Sequence, residues 1–337
     1  MALDLIVFLG TMGVYYAVYL ILALSLNLEA GFAGQPDFGK VFFFSLGAYA
    51  TGIVVTSILS YLGNIPGGIF SPPGVNLRTL YAASNPGAAI LVFVVACVVS
   101  VLVGGLFGYL VSYPAIRLRA DYLAITLFMT AAISQDFVVS YPNIAGGANG
   151  LGGIPGPFVW LGNGKLELAA YAALVLGIAF LLSWLLDTTL NSPYGRLLKA
   201  IRDDVTVAES FGKITPRRKA QVLAIASGIA ALAGALYTLF ISYEAADSFG
   251  STWTVDAWIM VILGGIANNR GALLGAFVLT LLDSTSMLIL AMVGSSQGYV
   301  LVYLRYMIVA LLLLLVLMFR PKGIIPEEPL RIPFQKS

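Results

Sequence analysis

The chain has 337 residues, of which 59% are apolar or aromatic and 10% are charged. A soluble domain carries about 25% charged residues. A soluble globular protein, a disordered chain and a surface-bound helix are therefore excluded, and the composition is that of a protein crossing a membrane many times. The net charge of +2 gives no reason to expect nucleic acid. With no His and a single Cys, Cys97, the chain excludes a disulfide framework, a Cys/His zinc site and histidine acid–base chemistry.

The first four residues contain Asp4 and no Lys or Arg, and the apolar run from Leu5 continues unbroken to about Leu28. A secretory signal begins with positive charge and ends at a small-residue cleavage site, so this run is read as a retained first span. Eight further runs follow at about 38–62, 87–113, 122–140, 167–187, 219–243, 254–268, 271–293 and 298–319. Most reach the ~20 residues that a hydrocarbon core requires. The run at 254–268 is short and ends in Gly264-Gly265, which suits a half-helix or a re-entrant segment. The expected fold is all-α and polytopic, a single membrane domain over 1–337 with about eight to ten transmembrane helices.

Between the first two spans, Gly31–Gly39 with Pro36 interrupts the helical pattern. Non-helical backbone at membrane depth survives only inside protein or beside water, and broken helices mark solute routes in many transporters. Two readings follow: an ordinary cytoplasmic loop, or a translocation path touching Asn27, Gly31, Gly34, Gln35, Gly39 and Tyr49. Residues 34–40 also fit the first seven positions of a P-loop. The eighth must be Ser or Thr to hold magnesium, and Val41 stands there. ATP binding by this chain is not expected.

Two long loops, 63–86 and 141–166, are rich in Gly, Pro and Asn. They read as turn-rich connectors or as a docking surface for something delivered from outside. Gly104-x-x-x-Gly108 and Gly271-x-x-x-Gly275 allow close helix approach, within this chain or against a second subunit.

Residues 188–219 differ from their surroundings. Ser192-Pro193 is a hydroxyl cap followed by Pro at the first helical position. Leu197, Leu198, Ile201, Val205, Ala208 and Phe211 recur at helical spacing, and Gly212 is a natural stop. The expectation is one short amphipathic helix over 193–212, followed by a span that Thr215-Pro216 caps in the same way. It could lie on lipid or dock into a cytoplasmic partner; Asp203, Asp204 and Glu209 suit a protein pocket better than anionic lipid.

Lys and Arg set orientation. With the N-terminus outside and the C-terminus cytoplasmic, 15 of the 18 basic residues fall on the cytoplasmic side. They are Lys40, Arg117, Arg119, seven between Arg196 and Lys219, Arg270, and four in the tail from Arg320 to Lys336. Only Arg78 and Lys165 lie outside, and Arg305 is within a span. Four ionisable groups sit inside spans: Asp136, Asp256, Asp283 and Arg305. Asp136 and Asp256 are near outer ends, where water reaches them. Asp283 and Arg305 are deeper, at depths differing by only ~5 Å at 1.5 Å per residue. An unpaired charge at the bilayer centre costs at least ~2.5 kcal/mol, so these two are expected to form an intramembrane ion pair.

The stretch Ser192-Pro-Tyr-Gly-Arg-Leu-Leu-Lys-Ala-Ile-Arg-Asp-Asp204, then Ala208-Glu-Ser-Phe-Gly212, resembles the cytoplasmic coupling loop of ABC-importer permeases. The rest of the chain resembles the branched-chain amino-acid permeases of the LivM type. The blocks that carry this are Asn27 to Gly39, Phe44-Ser-Leu-Gly-Ala-Tyr49, Arg117 to Ile125, Gly146 to Pro155, Asp247-Ser-Phe-Gly250, Val261 to Gly265 and Gly271-x-x-x-Gly275. They run in family order from about residue 25 to 283. Ala120 stands where Gly is usual, Lys40 where the family often has His, and Asn268-Asn269-Arg270 replaces a more Gly-rich turn.

The resemblance implies an ABC permease subunit of the cytoplasmic (inner) membrane that does not itself hydrolyse ATP. Its cargo would be Leu, Ile or Val, or alternatively urea or short amides. It implies a LivH-like second permease subunit, two ATP-binding subunits of the LivG and LivF type that hold ATP and magnesium, and an extracytoplasmic solute-binding protein. Arg196, Lys199, Arg202, Asp203, Ala208, Glu209, Phe211 and Gly212 would couple it to the ATPases. No cofactor is expected in the chain itself; membrane lipid is its surrounding and nucleic acid is not a partner. The competing classes are an ion-coupled secondary transporter, which would need ion-coordinating groups at mid-membrane, and a membrane enzyme, for which no catalytic cluster is visible.

Overall fold

The computed structural model describes residues 5–66, 72–115, 118, 120–142, 146–293 and 298–327. Arg117, Arg119, Arg331 and Lys336 lie outside the described residues. The chain forms twelve α-helices in the described residues: α1 Leu5–Leu26, α2 Lys40–Leu62, α3 Pro72–Ser84, α4 Pro86–Ala115, α5 Ala120–Ser140, α6 Gly164–Leu190, α7 Pro193–Asp203, α8 Val205–Ser210, α9 Thr215–Ile241, α10 Thr252–Gly264, α11 Asn269–Val293 and α12 Gly298–Phe319. Six described segments, on α1, α2, α4, α5, α6 and α9, are long and apolar enough to cross a membrane. With 25 and 22 residues, α11 and α12 also have spanning length. The short run expected at 254–268 is the 13-residue α10. The protein is an all-α polytopic membrane protein.

The core is built where α9 meets α2 and α4. Lipid tails are as apolar as Leu, so helices associate through close packing of small residues and interhelical hydrogen bonds. A methyl group on Gly234 would lie 1.9 Å from the Phe44 carbonyl oxygen, and one on Gly47 would lie 2.0 Å from that of Ala231. The Ser100 hydroxyl reaches both the Gly47 and Ala231 carbonyls, at 2.8 and 3.1 Å. Gly104 and Gly108 press on Ser227 and Ala231 of α9, so that motif packs within the chain. Gly271 and Gly275 press on Gly264 and Met260, joining α10 to α11 backbone to backbone.

The described parts of the two long loops hold more regular structure than a turn-rich connector. Pro72–Ser84 is helical, with Pro at its start where a missing N–H costs nothing. Arg78 is buried and donates from Nη2 to the Gly152 carbonyl at 3.0 Å. The second loop contributes Leu151–Gly152, which pairs antiparallel with Tyr243–Glu244 just beyond α9.

The expected single helix over 193–212 is two helices. Asp204 adopts an extended conformation and its carboxylate accepts from the N–H groups of Thr206 and Val207, at 2.8 and 3.0 Å. It thereby caps α8 and breaks the run from α7. Ser192 caps α7 as expected, accepting from the Tyr194 N–H. Thr215 does not cap α9; its hydroxyl donates to the Glu209 carboxylate instead.

Candidate functional site

The first span does not end at a capped terminus. After Leu26 the helix widens into a π-helical turn over Asn27–Phe32, a rare geometry concentrated at functional sites. Asn27 is fully buried and both ends of its side chain are used. Its Oδ1 accepts from the Ala267 N–H at 2.8 Å and its Nδ2 donates to Asn269 Oδ1 at 3.0 Å. Asn269 in turn donates to Asp187 Oδ1 at 2.7 Å. One chain of two amides and a carboxylate thus links α1, the elbow between α10 and α11, and the end of α6.

Three charges buried in protein hold the segment that follows. Lys40 Nζ lies 2.6 Å from Glu29 Oε2 and 3.3 Å from Asp37 Oδ2, and all three side chains are fully buried. Asp37 also accepts from the Gly39 N–H at 2.7 Å, and its carbonyl accepts from Trp258 Nε1 at 2.9 Å. Lys40, counted from sequence among the cytoplasmic charges, is an internal counter-ion. The glycines of this stretch are packed. A methyl on Gly31 would meet the Ala267 nitrogen at 2.7 Å, on Gly34 the Arg202 Cγ at 2.8 Å, and on Gly39 the Leu127 carbonyl at 2.2 Å. Gln35 and Tyr49 are buried, Tyr49 with its ring edge-on to Phe249.

Above this segment sit α7 and α8. Arg202 Nη1 donates to the Gly31 carbonyl at 2.7 Å. Its other donors reach Asp203 at 3.2 Å and Glu327 at 3.1 Å. Lys199 Nζ lies 2.8 Å from Glu327 and over the Phe32 ring. The chain carrying Glu327 is sewn to the end of α10: the N–H groups of Ile324 and Ile325 donate to the Leu263 and Gly264 carbonyls at 3.0 and 2.9 Å.

The residues expected to meet a partner therefore divide. Lys199 and Arg202 turn inward and hold the π-turn and the tail. Ala208 is buried, and Glu209 is exposed but accepts from Thr215. Arg196 and Asp203 face outward, Phe211 is 78% exposed, and Gly212 stops the helix at φ +70°. Phe211 thus leaves the apolar face that periodicity assigned it, because the break at Asp204 reorients α8. Glu29, Asp37, Asn269 and Glu327 escaped the sequence reading. An Asp three residues before Lys40 was a visible signal; nothing of that kind marked Glu29, Asn269 or Glu327.

The family model for the permease component of branched-chain amino acid transport systems matches residues 9–317. The chain belongs to this permease family. It is 34% identical to the probable branched-chain amino acid transport permease protein LivM of Methanocaldococcus jannaschii, covering 100% of this chain and 98% of that protein. The permease is 24% identical to the high-affinity branched-chain amino acid transport system permease protein LivM of Escherichia coli, over 92% of this chain and 68% of that one. It is 20% identical to the LivH permease protein of Salmonella typhimurium, over 92% and 91%. No solved structure matches.

In the permease, Arg305 Nη2 of α12 lies 2.6 Å from Asp283 Oδ1 of α11. The Tyr19 hydroxyl of α1 donates to the other Asp283 oxygen at 2.9 Å. Asp256, read from sequence as water-exposed, is buried at 9% exposure, because α10 packs against α1 and α11 while Val255 beside it stays open. Asp136 is exposed.

Proposed function

We propose that this permease is the membrane-spanning subunit of an ATP-driven importer that passes Leu, Ile and Val from an extracytoplasmic solute-binding protein to the cytoplasm. Its membership of the branched-chain amino-acid permease family and the names of the similar proteins support that cargo. Similarity to both LivM and LivH proteins supports pairing with a LivH-like second subunit. Two ATPase subunits of the LivG and LivF type would hold ATP and magnesium. The protein would lie in the inner membrane, with its N-terminus outside and its C-terminus cytoplasmic.

The observation that carries the reading is the exposed tip of the α7–α8 pair. Val207, Phe211 and Ile214 are exposed at its end, while its base is bonded through Arg202 to the broken first span. An apolar knob on a lever suits a groove in a moving partner. Asn27, Gly31, Gly34, Gln35 and Gly39, with Tyr49 beyond, would border the path. Protein fills the space beside these glycines, so a path along them needs the segment to shift, and Arg202 is the handle that would shift it.

The test is a native pull-down of the tagged chain in mild detergent. The expected result is a second membrane subunit and two ATPases in stoichiometric amount, with Phe211→Asp losing the ATPases while inserting normally. A clean monomer or homodimer that supports uptake without ATP would overturn the reading.

A further inference from the structure

A cavity opens between the second long loop, the start of α6 and the end of α9, away from the broken first span. It holds about 160 Å³, with Gly156 and Phe158 of the loop on one side. Gly164 and Ser242 are exposed at its rim, while Tyr171 and Leu239 are buried at its floor.

One charged side chain lines this space, Glu167, in the first turn of α6. An acid in that turn complements the helix dipole, which by itself asks for no ligand. Its direction asks for more. A methyl on Gly156 would lie 3.9 Å from Glu167 Oε1 and 3.5 Å from the Leu239 carbonyl, so the carboxylate is turned toward the loop side of the cavity. It has no hydrogen-bond or ion-pair partner among the described residues. Lys165 does not line the cavity, and residues two apart on a helix do not face each other. Arg78 is bonded to the Gly152 carbonyl and does not line it either.

The floor is aromatic. Tyr171 and Phe240 are stacked 6° from parallel, with centroids 6.3 Å apart. The Tyr171 hydroxyl is committed to the Leu236 carbonyl at 2.6 Å, which holds the ring in place. Such rings take aliphatic groups on their surface and attract cations. An anion would be repelled by Glu167, and a neutral apolar group would leave it unpaired; a monocation balances it. A cavity of about 150 Å³ holds one benzene ring, so the inserted part of the occupant has about six non-hydrogen atoms.

We infer that this cavity binds a primary ammonium carried on a short apolar chain. The ammonium meets Glu167 and the chain lies along Tyr171, Phe240 and Leu239. Two sources share this chemistry: an alkylamine from the water, or the ammonium end of a phosphatidylethanolamine headgroup whose phosphate stays outside the rim. The cavity lies at the first two turns of a helix apolar enough to span, the height at which headgroups and aromatic side chains meet.

The experiment uses the full chain in phosphatidylcholine nanodiscs, without ATP or partner subunits, so its outcome is separate from that of the importer reading. The probe is isobutylamine, protonated at pH 7 as a lysine side chain is. Saturation transfer from the protein to its methyl protons is titrated, and the signal of protein-free discs is subtracted. Binding should saturate, and Glu167→Gln should weaken it about tenfold or more, the loss of one charge-assisted contact. Isobutanol, of the same shape without the charge, should bind the parent more weakly by a similar factor. Equal affinity of the amine for parent and variant, or of alcohol and amine for the parent, would overturn the site. Gly156→Ala keeps the charge and meets its neighbours at ordinary contact distances, but its methyl occupies the cavity. It should also weaken binding, whereas Gly177→Ala elsewhere on α6 should not; undiminished binding in Gly156→Ala would overturn the site even if Glu167→Gln failed to fold. Repeating the titration in phosphatidylethanolamine discs separates the sources. Loss of the amine signal there makes the lipid headgroup the occupant, and an unchanged affinity makes it a free amine.

Discussion

Arg202 and Gly31 lie 171 residues apart in sequence and are joined by a 2.7 Å hydrogen bond from a guanidinium to a backbone carbonyl. The bond ties the α7–α8 pair directly to the π-turn of the first span. A motion of α7 is therefore a motion of the broken helix, with no flexible linker between them.

On the importer reading proposed above, Arg202→Ala should uncouple ATP use from transport rather than unfold the chain. The lost hydrogen bonds to charged partners are worth ~1.5–3 kcal/mol each at most, and less where water reaches them. In reconstituted vesicles, ATP consumed per solute transported should rise severalfold while the complex still elutes intact. An unchanged ratio would mean that Arg202 transmits nothing.

Lys40→Met should be far more damaging than any surface change on α7. It leaves Glu29 and Asp37 buried without their counter-ion, for which the expected cost is ~3–5 kcal/mol. Adding Glu29→Leu should recover a substantial part of that loss, since a matched apolar replacement removes one of the stranded charges. Thermal unfolding in detergent of the single and double variants gives the comparison.

Gly234→Ala should destabilise by ~1–3 kcal/mol, because the new methyl falls 1.9 Å from a backbone carbonyl and neither helix can retreat alone. Gly177→Ala on α6 is the control. Nothing lies within 4 Å of its new methyl, and the gain in helix propensity should make it neutral or stabilising by up to ~1 kcal/mol. A similar loss in both would argue against the packing account.

Glu244 gives a pH prediction. Neither of its carboxylate oxygens has a partner among the described residues, and it lies against Gly52 beneath the two-strand pairing. Burial raises its pKa well above the usual carboxylate range. Below about pH 4 both folded and unfolded chains carry the Glu244 proton, and this group contributes no pH dependence. As pH rises, the unfolded chain releases the proton first. The folded chain then binds more protons, and stability falls by up to ~1.4 kcal/mol per pH unit until Glu244 itself ionises. Glu244→Gln should remove that slope, so its melting temperature should gain on the parent between pH 4 and 8. Parallel curves for the two proteins would refute it.

The sequence by itself determined the membrane class, the positions of the spans, the cap at Ser192, the stop at Gly212 and the family. Each of these depends on residues within a few positions of one another, or on composition. It did not determine the break at Asp204, because an Asp after an amphipathic run reads equally well as a surface residue or as a cap. Only the tertiary structure decided that Lys40 is a counter-ion, that Asp256 is buried, and that Arg202 points at Gly31 while Phe211 points away. Periodicity describes which residues share a face of one helix. It carries no information on which distant helix, elbow or tail lies against that face, and there an unpaired charge or backbone carbonyl finds its partner only after the chain has folded.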